Sequence, residues 1–141
     1  MSEYSKKAIY SKLSGDTAFA ALLAKDENNN PGIYNTNLNQ IHPVNFPCTT
    51  FRESDGTTDP RFRTITIGTE FFDFEIWADD KSGLTTARIA ERLNALLHNQ
   101  PITLSSGECY DCIRVTQSPD NYDPKLKLQF GLYRYKLTVR R

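Results

Sequence analysis

Apolar positions recur along the chain with two periods, one helical and one extended, and the stretches between them are polar and rich in Pro, Asn and Gly. In Glu3–Leu13, Ile9 and Leu13 stand at i, i+4 while Lys6, Lys7 and Lys12 lie elsewhere on the surface. This predicts a short amphipathic helix capped by Ser2 or Ser5. Ser14-Gly15 breaks it, and Asp16 caps a second turn or two carrying Phe19, Leu22 and Leu23. From Lys25 to Pro47 the chain is polar, with Asn28-Asn29-Asn30-Pro31-Gly32 at its head and Pro43 and Pro47 near its end. Ile33, Tyr34, Ile41, Val44 and Phe46 recur within it, so it reads as an irregular excursion rather than a linker. Ser82–His98 carries the clearest helical period: Ile89, Ala90, Leu93, Leu96 and Leu97 on one face, Arg88, Glu91, Arg92 and Asn94 on the other. Ser82 is its expected cap, Asp79 and Asp80 suit the dipole at its start, and Asn99-Gln100-Pro101 ends it.

Four segments alternate with period two. Cys48–Glu53 is rich in Thr and Phe, and Ser54–Pro60 is read as a turn or loop. In Phe62–Trp77 the apolar parity changes from odd (Ile65, Ile67) to even (Phe72, Phe74, Ile76), which predicts a bulge or break near Gly68-Thr69. These two segments are expected to form a long, bent hairpin arm. Cys109–Gln117 and Lys125–Val139 are two further strands separated by Ser118–Pro124. In the last, Leu126, Leu128, Phe130 and Leu132 share one face, Tyr133, Tyr135, Leu137 and Val139 the other, with Gly131 at the switch. The order helix, strand, strand, helix, strand, strand predicts an α+β fold. It would be one domain over residues 1–141, a small antiparallel sheet of about four strands with helices packed on one face. The other face would carry enough aromatics to need a partner.

Composition narrows the function classes. The 141 residues hold 17 Lys+Arg and 17 Asp+Glu, with 38% hydrophobic residues, which suits one globular domain. A formal charge of zero argues against a non-specific nucleic-acid binder, which needs a basic excess, and does little to hold molecules apart. The longest apolar run, Ala18–Ala24, is far short of a membrane span. No apolar core of a signal peptide follows the N-terminal Met-Ser-Glu-Tyr-Ser-Lys-Lys, and three cysteines are an odd count, so synthesis in a reducing cytoplasm is expected.

Few residues invite chemistry. Cys109-Tyr110-Asp111-Cys112 has the Cys-x-x-Cys spacing, but it runs into a strand, where residues three apart point to opposite faces, and no second pair of ligands accompanies it. One buried and one half-exposed thiol are expected there. Asp73 and Glu75 share a strand face, and with Asp59 and Asp79-Asp80-Lys81 they raise a magnesium-dependent nuclease as a distant alternative. The alternation of Asp73 and Glu75 with Phe72, Phe74 and Ile76 is also the ordinary polar side of a half-buried strand. His42 and His98 stand apart from any Ser or Cys with an orienting third group, and no glycine-rich phosphate loop is present. The chain is therefore expected to be non-enzymatic, with no cofactor and no metal. Tyr133 and Tyr135 interleave with Arg134, Lys136, Arg140 and Arg141, a pattern that suits stacking on nucleic acid or an edge strand guarded by charge. Arg61 and Arg63 flank Phe62 in the arm, where charged tips meet partners.

Three stretches together resemble the tail terminator (tail completion, head–tail joining) proteins of long-tailed bacteriophages. They are Ala8–Leu13 with Asp16–Leu23, the excursion from Gly32-Ile33-Tyr34 to Pro47, and above all Phe72-Asp73-Phe74-Glu75-Ile76-Trp77-Ala78 running into Leu84 and Ala87–Leu93. The closing Phe130–Tyr135 strand suits the same pattern. The resemblance implies a structural, non-enzymatic virion protein. Six copies would form a ring at the head-proximal end of the tail tube, stopping tube polymerisation and docking on the head connector. The implied partners are other copies of itself, the tail tube protein, the connector or head-closure protein, and DNA passing through the lumen without sequence-specific binding, with no membrane. The implied location is the virion tail or neck, after assembly in the bacterial cytoplasm. Another neck or head-closure component is the near alternative. Arg61, Phe62, Arg63, Asp73, Glu75, Tyr133, Tyr135 and Arg140 are the candidate subunit-interface or lumen residues.

Overall fold

The computed structural model describes residues 2–36, 38, 44–58, 67–80 and 82–140. Its elements, in chain order, are α1 (Ser2–Ser14), α2 (Thr17–Leu22), β1 (Ile33–Tyr34), β2 (Cys48–Thr58), β3 (Ile67–Ala78), α3 (Leu84–Leu97), β4 (Glu108–Asp123) and β5 (Leu128–Arg140). The strands form one sheet in the order β1-β2-β3-β5-β4. The fold is α+β with five strands rather than about four. The extra strand is a two-residue piece of the polar excursion: Ile33 and Tyr34 pair parallel to Thr49 and Thr50 of β2. All other pairings are antiparallel.

The helices lie on one face. In α1, Ser5, Ile9 and Leu13 follow one another at i+4 and are all buried. Ser5 is therefore not the cap that its position in the sequence suggests. It faces the sheet and donates its hydroxyl to the buried carboxylate of Glu70 on β3. Asp16 does cap α2: its Oδ2 accepts from Phe19 N at 2.8 Å. Across the interface with α3, Arg92 grips the same carboxylate with Nε at 2.9 Å and Nη2 at 2.7 Å. One side chain thus ends the α1–α2 turn and ties it to α3. This pairing with Arg92 holds the Asp16 carboxyl below its ordinary value of 3.8. A depressed folded pKa stabilises the native state above that ordinary value, and the contribution fades as the pH falls through the folded one. Asp16→Asn keeps a cap acceptor but removes the charge. The melting-temperature gap between wild type and Asp16→Asn is therefore expected to be widest well above pH 3.8 and to narrow as the pH falls below it. A gap independent of pH would rule out the ion pair as its source.

Helix α3 starts one residue later than Ser82 predicts. Gly83 is the N-cap, at φ 73°, where a Cβ would be strained and would also approach Asp120 Oδ1 to 3.3 Å. Ser82 Oγ still accepts from Leu84 N, and Asp80 Oδ2 accepts from the hydroxyls of Ser82 and Thr85. Ile89, Ala90, Leu93 and Leu97 turn inward as their period requires and meet Phe51, Phe72, Phe74, Tyr133, Tyr135 and Leu137 from the sheet.

The central ladder of β3 and β5 runs without a register shift from Ile67↔Arg140 to Ala78↔Gln129. The break expected near Gly68-Thr69 is not in β3, and the parity switch at Gly131 is not a break in β5; the irregularities lie elsewhere. They fall on the flanking strands, between Ser54 and Thr57 of β2 and between Ser118 and Asn121 of β4. The change of apolar parity in β5 instead marks burial on both faces. Odd residues from Tyr133 to Val139 enter the main core, whereas Leu128 and Phe130 join Trp77, Cys48 and Leu38 on the opposite face. Tyr34, Val44 and Phe46 from the excursion close over this second, smaller cluster, where Trp77 stacks on Phe130 at 4.7 Å. Ser54–Thr58 and Ser118–Asp123, read from sequence as loops, are strand. β3 is paired on both sides, so the described part of the hairpin belongs to the sheet and is not a free arm. Residues 59–66, its tip, lie outside the described residues.

Candidate functional site on the open face of the sheet

The face of the sheet turned away from the helices is built from alternate residues of four strands. Arg52 of β2, Asp73 and Glu75 of β3, Leu132 and Arg134 of β5, and Thr116 and Ser118 of β4 line a shallow groove of about 290 Å³. Register brings them together: Arg52 faces Asp73, and Asp73 faces Arg134 in turn. Arg134 forms a two-pronged pair with Asp73, Nε to Oδ1 at 2.6 Å and Nη2 to Oδ2 at 3.1 Å, and its guanidinium lies 5.8 Å from the Phe71 ring centroid. Glu75 takes the Trp77 indole N–H at 3.2 Å and lies 3.9 Å from Arg52. Arg140 continues the same row as Arg134, half-buried and opposite Ile67 and Glu108.

Asp73 and Glu75 thus share a face, as their spacing predicts, but each is held by an arginine from a neighbouring strand. No group of three or more His, Cys, Asp or Glu is arranged to hold a metal among the described residues. Asp79 is exposed and Asp80 serves the entry to α3. What this face offers chemically is docking: rigid strands, balanced charge, and the apolar Phe71 and Leu132 between ion pairs.

Tyr133 and Tyr135 are corrected by the structure. They are 5% and 0% exposed, on the helix side of β5, and Tyr135 Oη donates to Asn94 Oδ1 of α3 at 3.0 Å. Burial pushes both phenols up. Arg134 and Lys136, which alternate with them along β5, point to the open face, and β5 is interior to the sheet, not an edge. Arg61, Phe62, Arg63, Asp59, His42, Lys81 and Arg141 lie outside the described residues. His98 is the C-cap of α3, and its Nδ1 accepts from Arg114 N at 3.0 Å.

The cysteine pair is also corrected in one respect. Cys109 faces Val139 and Cys112 faces Leu137, two residues apart on β5 and hence on one face, because a bulge at Tyr110 absorbs the odd residue. Cys112 is buried and Cys109 half-buried, as expected. Burial pushes the Cys109 thiol up to about 11 and the Cys112 and Cys48 thiols up to about 12. The thiolate is the reactive form. At pH 8 the folded chain is expected to react with a disulfide dye slowly and at Cys109 alone, with Cys48 and Cys112 labelled only after unfolding. Rapid native labelling at all three would contradict the packing described.

The signal that sequence reading missed lies on β4. Tyr110, Val115 and Tyr122 are 53%, 43% and 52% exposed. Their spacing fits neither period because three register shifts interrupt β4. Among the described residues, no helix is long and apolar enough to cross a membrane. No protein-family model and no curated protein matches the chain. Among solved structures, the fold is similar to that of a chain in the virion of a native gene transfer agent (GTA) particle, with a TM-score of 0.77 and 16% identity over 99% of this chain and 97% of that one. At that identity the likeness is one of fold.

Proposed function

We propose that this chain is a structural virion protein that assembles as a ring at the head-proximal end of a phage-type tail tube, stopping tube growth and docking the tail on the head connector. The observation that carries the reading is end-to-end similarity of fold to a chain of a gene transfer agent virion, with almost all of both chains covered. The whole subunit, rather than a motif within it, is what matches. The resemblance of the Phe72–Ala78 strand and the Ala87–Leu93 helix to tail terminators supplies the specific role. The sheet supports an assembly part as well: its open face pairs its acids with arginines and presents flat, rigid surface. The partners in this reading are further copies of the chain, the tail tube protein and the connector, with DNA passing through the lumen.

The test has two arms. Light scattering behind size exclusion is expected to give a species near six times 16.1 kDa, with a channel visible in electron micrographs. Particles assembled without the chain are expected to have tails of uncontrolled length that do not join heads. Tails of normal length, joined to filled heads in its absence, overturn the reading. Normal tails that fail to join heads would instead favour a head-closure component.

A further inference from the structure

We infer that the β4 edge of the sheet is the surface on which a second copy of this chain docks, and that it receives the α1 edge of that copy. The number of copies rests on the ring reading above; the surface rests on three features of the edge itself.

The first is apolar exposure. Of the seven large apolar side chains left exposed among the described residues, Tyr110, Val115 and Tyr122 lie on β4, Leu126 in the turn that follows it, and Leu132 on the adjoining β5. Single exposed apolar residues need no explanation, but a concentration along one edge marks an interaction surface. The second is where two of them sit. The register passes from Cys109↔Val139 to Asp111↔Thr138 and from Arg114↔Tyr135 to Thr116↔Arg134, so Tyr110 and Val115 are the extra residues of two bulges. A bulge re-aims the side chain of its extra residue. It also interrupts the row of free backbone groups that another strand would need. Contact at this edge is therefore made by side chains and not by extending the sheet.

The third is charge. β4 carries Glu108, Asp111, Asp120 and Asp123 against Arg114, with Lys125 and Lys127 confined to the turn that follows it. α1 carries Lys6 and Lys7, the latter paired with Glu3 at 2.7 Å, and leaves Tyr10 40% exposed, whereas Lys12 turns to the other side of the helix and donates to Pro101 O. Lys6, Lys7 and Tyr10 line a shallow groove with Asn35 and Phe51, beside the β1–β2 end of the sheet. The strand order puts β1 and β4 at opposite ends. The acidic, apolar β4 edge and the groove that Lys6, Lys7 and Tyr10 share with Asn35 and Phe51 thus lie toward opposite ends of the sheet, while the other side of α1 packs beside Pro101, Ile102 and Thr103, ahead of β4. Docking the first on the second is heterologous and repeats head to tail, the arrangement that closes into rings. A symmetric β4–β4 contact would set four carboxylates against four, and the same acids repel nucleic acid.

The experiment places photo-reactive benzoylphenylalanine at position 110 of the full chain, irradiates across a concentration series, and maps crosslinks by mass spectrometry. Intermolecular crosslinks to α1 are expected. Lys6→Glu with Lys7→Glu is expected to lower their yield about tenfold, and Glu108→Lys with Asp111→Lys to restore it, with circular dichroism showing that each variant folds. Crosslinks to β4 of the other copy, or none between copies, overturn the inference. A six-copy ring crosslinked elsewhere overturns this interface and leaves the ring. Crosslinks to α1 in a chain that particles assemble normally without leave the interface and overturn the terminator role.

Discussion

Phe74→Ala is expected to cost about 3–5 kcal/mol of folding stability, the range for deleting a fully buried aromatic ring. Phe74 sits in the middle of β3, paired with Phe51 on one side and Tyr133 on the other. Its ring stacks on Phe51 at 5.6 Å and 22° and meets Tyr135 edge-on at 5.5 Å and 86°. Both are favourable aromatic geometries, adding to the loss of buried area. The surrounding strands cannot collapse into the vacancy, because around Phe74 β3 is paired in unbroken register on both sides, from Phe71 to Trp77. The loss is a large fraction of the stability of a domain this size, so the melting temperature should fall by about 10 °C or more. Urea denaturation measures the cost directly, and a loss below about 1 kcal/mol would mean that the ring is not packed as described. Phe74→Leu should recover part of the loss, since much of the volume returns.

How far such packing could be read from the chain depended on the element. Helix α3 was legible because a 3.6 period admits only one buried stripe, and Ile89, Ala90, Leu93 and Leu97 supply it. The strands were legible as strands, but the alternation tells which residues share a face and not which face is covered. Tyr133 and Tyr135 share a face whichever way β5 turns, and only the position of α3 over the sheet decides that they are core. The same ambiguity affects Gly68 and Gly131. A parity change in one strand reads as a local break, but here the central ladder is intact and its two flanking strands carry the irregularities.

For the candidate site, the pairing of Asp73 with Glu75 followed from spacing alone. Their arginines did not, because Arg52 and Arg134 are brought there by cross-strand register, 21 and 61 residues from Asp73. Ser118–Asp123 looked like a loop because Pro119, Asp120 and Asn121 are turn residues. A proline is tolerated in an edge strand, where an N–H can be spared. Once that segment is strand, the exposed Tyr122 belongs to the same edge as Tyr110 and Val115, and the edge becomes a surface. The tip of the β2–β3 hairpin, with Arg61, Phe62 and Arg63, lies outside the described residues.

Gly131→Val carries the next largest expected effect, about 1–3 kcal/mol of destabilisation, and its sign runs against propensity. Valine is favoured in strands and glycine weakens them, so an exchange governed by backbone preference would stabilise. Gly131 lies on the helix side of β5, opposite Ile76, with Tyr133 two residues on along the same face. The Tyr133 ring folds back over it: a Cβ at position 131 would lie 2.8 Å from both Cε2 and Oη and 3.1 Å from Cζ of that ring. Tyr133 is nearly fully buried, so it can yield only by leaving its rotamer or pushing on its neighbours, the usual cost of overpacking. A double-mutant cycle separates this clash from any general intolerance of the strand. In a Tyr133→Leu background the ring is gone, and Gly131→Val should cost at least 1 kcal/mol less than in the wild type. Equal costs in both backgrounds would show that the tyrosine ring is not what holds position 131 to glycine.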